Sequence, residues 1–229
     1  MSIQSNLQQI NARIAAACAR SGRDPAAVRL LAVSKTKPAA SVEAAFAAGQ
    51  RLFGENYVQE FLAKTEEVTA PVEWHFIGAL QSNKVKYLPG KVTLIHSVDR
   101  LALAREIDRQ WGKVGLHADI LLEVNLGEEN SKAGADEATI IPLVREIAKL
   151  PRLRLRGLMA LPPWLADPEA VRPYFRRLRE LARTIDALAL PEVSMAELSM
   201  GMSHDFEVAV EEGATLVRVG TAVFGERIY

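Results

Sequence analysis

The chain has 229 residues, with 28 Lys+Arg against 28 Asp+Glu and a formal net charge of zero at pH 7. Apolar residues make up 49% and charged residues 24%, an ordinary globular composition that excludes a disordered chain. The balanced charge offers no general field for nucleic acid or anionic lipid, and Cys18 alone excludes an internal disulfide or a cysteine-based metal cluster.

The segment from Met1 to Arg20 spreads Gln, Asn and Arg among its apolar residues and lacks a secretory signal's apolar block. No stretch approaches the roughly 20 apolar residues of a membrane span. The expectation is a soluble cytoplasmic protein with no nucleic-acid and no membrane partner. Composition does not change along the chain, so residues 1–229 are expected to form a single domain.

Ile3, Leu7, Ile10 and Ile14 repeat at helical spacing and predict an amphipathic N-terminal helix ended by Gly22. A strand follows at Arg29–Ser34, then an Ala-rich helix at Ser41–Ala48 stopped by Gly49. Arg51–Gly54 reads as a strand, Asn56–Val68 as a helix, Glu73–Ile77 as a strand and Ser82–Tyr87 as a short helix. Val92–His96 is a strand, and Asp99 is expected to cap a helix running to about Trp111. Asp119–Val124 (strand), Glu137–Leu150 (helix), Leu153–Met159 (strand) and Val171–Ala189 (helix) continue the alternation. Glu192–Leu198 is the weakest strand, Asp205–Glu212 is a helix ended by Gly213, and Thr215–Val219 is the last strand.

Eight strands alternate with helices, and their short continuous apolar runs suit parallel strands buried on both faces. Eight β/α units in this length predict an α/β fold, a closed (β/α)₈ barrel of the TIM type with an extra N-terminal helix. An open doubly wound sheet shares the same period, but no G-x-G-x-x-G follows the first strand.

Chemistry in a barrel collects at the carboxyl ends of the strands. Lys35 follows the apolar run Leu30–Val33 directly, so its amine is expected at the rim of a low-dielectric core. A desolvated, neutral amine attacks carbonyls to form a Schiff base; a snorkelling or salt-bridged lysine is the alternative. Ser199 to Asp205 and Arg218 to Thr221 each place glycine and hydroxyl after a strand. Two such turns side by side form a phosphate cup, helped by a helix starting near Ser203, or else serve as ordinary caps and turns. Arg218 alternates with Val217 and Val219 and is expected to point into the barrel, toward an acid such as Glu207 or Glu211 or toward a ligand's ring nitrogen.

Other signals are weaker. Ser203-His204-Asp205 cannot converge as a catalytic triad because the residues are adjacent. The four histidines lack metal-site spacing. Arg152, Arg154 and Arg156 read as a solvated edge or partner surface, and Leu161-Pro162-Pro163-Trp164 as a stiff wall of the mouth.

A lysine imine beside a phosphate cup suggests pyridoxal 5′-phosphate (PLP), and seven segments carry a family resemblance. They are Leu31–Pro38, Phe53–Glu60, Trp74–Gly78 with Leu80–Lys84, Glu129–Gly134, Arg156–Ala160, Leu198–Ser203 and Arg218–Gly225. Together they resemble the YggS/PROSC family of pyridoxal phosphate homeostasis proteins. The resemblance implies a barrel like the N-terminal domain of alanine racemase, with PLP held as an internal aldimine on Lys35. It implies Asn56 near the ring, Arg218 facing the pyridine nitrogen, Ser203, Gly220 and Thr221 on the phosphate, and Gly201 shaping the turn. Ser199, Met159 and His75 are carried over as candidates lining the mouth. His204 departs from the usual residue after the cup and leaves the cup intact. The implied function is intracellular PLP (vitamin B6) homeostasis without catalytic turnover, with PLP-dependent apoenzymes as recipients; no helix face is conspicuously apolar all round, so a monomer is expected. A small PLP enzyme acting on amino acids, of racemase or lyase type, is the alternative.

Overall fold

The computed structural model describes residues 2–127 and 134–226. Helix α1 (Ile3–Ser21) is capped by Ser2, whose Oγ accepts the Ser5 N–H at 3.1 Å, and ends at Gly22. The alternation then runs β1 (Arg29–Val33), α2 (Ala39–Ala47), β2 (Leu52–Glu55), α3 (Val58–Glu67) and β3 (Glu73–Phe76). A 3₁₀ turn at Ser82–Tyr87 replaces a helix before β4 (Leu94–Val98), which is followed by α4 (Leu101–Lys113) and β5 (Ala118–Asn125). A two-residue β6 (Ala135–Asp136) leads into α5 (Glu137–Ile147), then β7 (Leu153–Ala160), α6 (Arg172–Asp186) and β8 (Val193–Ser199). The chain finishes with α7 (Phe206–Glu211), β9 (Leu216–Val219) and the single turn α8 (Thr221–Phe224).

Every strand pairing is parallel. The ring runs β1-β2-β3-β4-β5-β7-β8-β9, with β6 appended to β5 outside it. It closes where Arg29–Ala32 of β1 lie in register with Leu216–Val219 of β9. The sheet is therefore the expected closed barrel. The pairing of β8 with β9 is thin, a single registered pair between Ser199 and Leu216, which fits the weak strand signal there.

Alternation along each strand sorts side chains into two apolar sets. Leu30, Ala32, Phe53, Phe76, Ile95, Ile120, Leu122, Leu158, Val217 and Val219 face the helices. Leu31, Val33, Leu52, Leu94, Leu121, Met159 and Leu216 form a separate cluster, the apolar filling of the barrel lumen. Helix α1 lays Leu7, Ile10, Ile14 and Ala17 into the outer set and packs on α2, α7 and α8. The last two helices have only six and four residues, so α1 covers the outer face that they leave bare.

Two details differ from the sequence expectation. Asp99 does not cap α4: its carboxylate accepts from Arg100 Nη1 at 2.6 Å, because the adjacent guanidinium competes for it, and no side chain caps the helix. No helix starts near Ser203; α7 begins at Phe206, after a turn in which Asp205 Oδ1 accepts the Met202 N–H at 2.6 Å. The Glu129–Gly134 segment, one of the seven that carry the family resemblance, lies, except for Gly134, outside the described residues. No helix among the described residues is long and apolar enough to cross a membrane.

A register shift in β7 between Leu155 and Gly157 changes the phase of the strand. Leu155 faces the helices, and two alternations later Met159 faces the lumen. At the shift the β8 backbone comes so close that a Cβ on Gly157 would stand 1.8 Å from the Glu197 carbonyl oxygen. We expect Gly157→Ala to force β7 and β8 apart and to cost about 1–3 kcal/mol. The midpoint of denaturant unfolding measures that loss.

Candidate functional site

A cavity of ≈ 300 Å³ opens at the carboxyl ends of the strands. Six of the ten candidate residues line it: Lys35, Asn56, Ser203, Arg218, Gly220 and Thr221. Ile77, Leu161, Met202 and Trp164 supply apolar and aromatic wall, and His204 and Lys37 stand at its rim. Trp164 is 71% exposed and stacks on His204 at 5.6 Å between centroids.

Lys35 sits just past β1 between two clamped neighbours. The buried Ser34 hydroxyl donates to Glu55 Oε1 at 2.6 Å. Lys64 Nζ donates to the same oxygen at 2.7 Å, to Glu60 Oε1 at 2.7 Å and to the Ser34 carbonyl. Glu60 Oε1 in turn accepts the Thr36 N–H. Thr36 has φ +63, a left-handed backbone that β-branched residues avoid. Strain of this kind persists only where the surroundings impose it, and it gathers at functional sites. Burial raises the Glu55 carboxyl above its usual range against the opposing pull of Lys64. Removing Lys64 would leave that carboxylate buried and uncompensated. We expect Lys64→Met to cost about 3–5 kcal/mol and a second change, Glu55→Gln, to restore much of it; paired unfolding curves measure both.

Arg218 is 4% exposed and enters the lumen from β9, as its alternation indicates. Nη1 donates to Ser199 Oγ at 2.6 Å and Nη2 to the Ala160 carbonyl at 2.9 Å. Glu207 and Glu211 are engaged elsewhere, with Arg13 and with Arg20 and Arg172. Burial lowers the Arg218 pKa to about 10, so the guanidinium stays charged at neutral pH. Its charge is felt by Glu123, a lumen acid that sequence reasoning gave no role. Burial, reinforced by Asp99, lifts Glu123 to about 7 against the pull of Arg218. The signal was present in the alternation of Asp119, Leu121 and Glu123 with apolar neighbours along β5.

Four candidates stand away from the wall of the cavity. Ser199 is fully buried and reaches the site through Arg218. Gly201 shapes the turn: its φ is +89, a Cβ there would meet the Ala209 Cβ at 2.5 Å, and its carbonyl accepts the Arg218 N–H at 3.0 Å. Met159 packs in the lumen cluster. His75 does not line this mouth; it faces a second cavity at the amino ends of the strands, with Arg29, Glu73, Asp119, Arg156 and Glu197. The strand carrying it ends one residue later, so His75 points into the lumen one layer too low. Arg156 pairs there with Asp119 at 3.0 Å, and Arg154 pairs with Glu192 at 3.6 Å outside the cavity lining. His96, which sequence reasoning had considered only as a metal ligand, also lies buried in the lumen. No group of His, Cys, Asp and Glu among the described residues is arranged to hold a metal.

The Lys35 side chain, the Arg218 guanidinium and a Gly–hydroxyl turn thus converge on a cavity with apolar walls and Lys37 at its rim. Residues 5–228 match the alanine racemase N-terminal domain family. The chain is 48% identical over 230 residues to the pyridoxal phosphate homeostasis protein of Aquifex aeolicus, covering 100% of both chains. The chain belongs to the pyridoxal phosphate homeostasis protein family. Among solved structures of this family, PipY of Synechococcus elongatus PCC7942 with PLP bound superposes with a TM-score of 0.86 at 38% identity, covering 98% of this chain and 100% of that one. The same protein without PLP gives 0.83 at 41% identity, with 94% and 100% covered. The YggS/PROSC resemblance read from the sequence is therefore correct.

The raised pKa of Glu123 has a consequence for stability. A carboxyl that is harder to ionise when folded holds its proton in the native state while the unfolded chain has lost it. Stability then falls as pH rises from the ordinary glutamate range through about 7. Glu123→Gln is expected to gain on the wild type by up to about 3 kcal/mol between roughly pH 4.5 and pH 8. Unfolding curves of the two proteins across that range measure the difference.

Proposed function

We propose that this chain binds pyridoxal 5′-phosphate in the carboxyl-end cavity and serves its homeostasis, holding it on Lys35 and passing it to PLP-dependent apoenzymes. The observation that carries the reading is the meeting of Lys35, Arg218 and the Ser203–Gly220–Thr221 cup in one cavity of ≈ 300 Å³. The residues fit the group in a further respect: Asn56 Oδ1 on the wall is buried with no hydrogen-bond partner among the described residues. A buried acceptor without a donor is costly, and a donor group on a bound ligand, such as a ring hydroxyl, would supply one. Relatives that carry the homeostasis name, and PipY with PLP bound, support the same reading.

The bound group supplies an aldehyde that condenses with a primary amine and a phosphate that needs donors. Lys35 places the amine. Ser203 and Thr221 offer hydroxyls, and Gly220 lets backbone approach the anion. Arg218, an obligate donor, would face the ring nitrogen and keep it unprotonated, which would weaken the ring as an electron sink and suit holding rather than turnover. The broad mouth between Leu161, Trp164 and Lys37 suits exchange with solvent. We place the protein in the cytoplasm as a monomeric single-domain carrier.

Titration with PLP is expected to produce an absorption band at roughly 420 nm that borohydride fixes as a covalent adduct on Lys35. Lys35→Ala loses both band and adduct, and Ser203→Ala weakens binding by about tenfold. An adduct on another lysine, or an unchanged band in Lys35→Ala, overturns the assignment. Loaded protein incubated with single amino acids should give no product above the Lys35→Ala control; turnover would make it an enzyme.

A further inference from the structure

The lumen holds a hydrogen-bonded chain that links the two cavities. Arg218 Nη1 donates to Ser199 Oγ (2.6 Å), Ser199 Oγ lies 2.9 Å from His96 Nδ1, and His96 Nε2 lies 2.9 Å from His75 Nδ1. His75 Nε2 faces Glu73 Oε1 at 3.5 Å in the amino-end cavity. Ser199 and His96 are fully buried and His75 is 1% exposed, so protons cannot be borrowed from bulk water along the way.

The chemistry of the partners sets the direction of every bond. A guanidinium only donates, so the Ser199 oxygen accepts from Arg218. The single Ser199 proton then needs an acceptor, and His96 Nδ1 is the remaining partner of that hydroxyl among the described residues. His96 consequently carries its proton on Nε2 and donates to His75 Nδ1. His75 keeps its own proton on Nε2, pointed at the Glu73 carboxylate. The opposite arrangement would strand the Ser199 proton and set a histidine lone pair against a carboxylate.

We propose that His96 and His75 are positioning residues for Arg218: their one-way chain keeps the Ser199 oxygen turned toward the guanidinium and couples ligand grip at one mouth to protonation at the other. The coupling rests on the reading that the upper cavity takes PLP; the chain itself does not. Both histidines are held neutral chiefly by burial, His96 further by the nearby charge of Arg218 and any charge on His75. The groups facing His75 are Glu73 on its own strand, Arg29 from β1, His96 from β4, Asp119 from β5, Arg156 from β7 and Glu197 from β8. Arg29 is paired with Glu197 and Arg156 with Asp119, leaving Glu73 as the carboxylate that a charged His75 would meet. A His75 that gains a proton from solvent at the amino-end cavity, by local opening, carries N–H on both nitrogens, and its Nδ1–H then opposes the His96 Nε2–H. The contact survives only with His96 in its other neutral tautomer, its one proton exchanged from Nε2 to Nδ1; Nδ1 then donates to the Ser199 oxygen, and the Ser199 proton is turned toward Arg218.

Long-range ¹H–¹⁵N spectra of the labelled wild-type chain, without ligand at neutral pH, test the chain directly. Both rings are expected neutral with the proton on Nε2; a proton on His96 Nδ1, or a charged His96, overturns the chain. Titration with PLP at steps from about pH 8 to about pH 5 tests the coupling, with His75→Gln, which does not titrate, as the comparison. Wild-type affinity should fall by about tenfold more than that of His75→Gln as pH drops below the ordinary histidine range. Equal pH profiles overturn the coupling. If the wild type forms no PLP adduct at any pH, the reading of the cavity and the coupling fall together, while the tautomer spectrum still decides the chain.

Discussion

The closure of β1 onto β9 is the constraint on which the site depends. The two strands lie 183 residues apart from the end of one to the start of the other, yet four registered pairs join them. That register puts Lys35, just past β1, beside Gly220 and Thr221, just past β9. It also sets Arg218 against the lumen face of Leu31. An open sheet of the same elements would leave Lys35 and the cup on separate edges. Closing the ring turns two strand ends far apart in sequence into adjoining walls of one cavity.

Period-two alternation does the remaining sorting, and it places polar groups in a lumen that barrels commonly fill with aliphatic side chains. Arg218, Glu123, His75, His96 and Ser199 share that space with an apolar ring of leucines, valine and methionine. Burying such groups is costly unless each finds a partner. The lumen meets that demand with neutral acceptors for the guanidinium and with histidines that stay uncharged. A strained Thr36 beside Lys35 and a carboxyl lifted to about 7 show the same exchange of stability for an organised site.

The alternation of elements was legible because parallel barrel strands carry continuous apolar runs, and those runs locate the strand ends where chemistry sits. Lys35, Asn56, Ser203, Arg218, Gly220 and Thr221 all follow from that rule together with the family resemblance. His75 did not, because a one-dimensional pattern says which face a residue takes but not its height along the barrel axis. Met159 packs in the lumen below the mouth for a related reason: β7 runs one residue further, to Ala160, and the register shift between Leu155 and Gly157 has no local pattern to announce it. The Asp99 cap failed because a neighbouring guanidinium took the carboxylate. The lumen chain was invisible because its members come from β3, β4, β8 and β9 and meet only after closure.

Helix α1 ties the beginning of the molecule to its end. Asn6 donates to the Val223 carbonyl at 2.9 Å, Arg13 pairs with Glu207 and Arg20 with Glu211. Helix α1 therefore packs on α7 and α8 as well as on its sequence neighbour α2, so much of its apolar stripe is seated by elements about 200 residues away. Loop closure over nearly the whole chain must precede the contacts that reward it. The barrel and the helix that covers it are therefore mutually dependent, because the β1–β9 closure and the seat of α1 both join elements far apart in sequence.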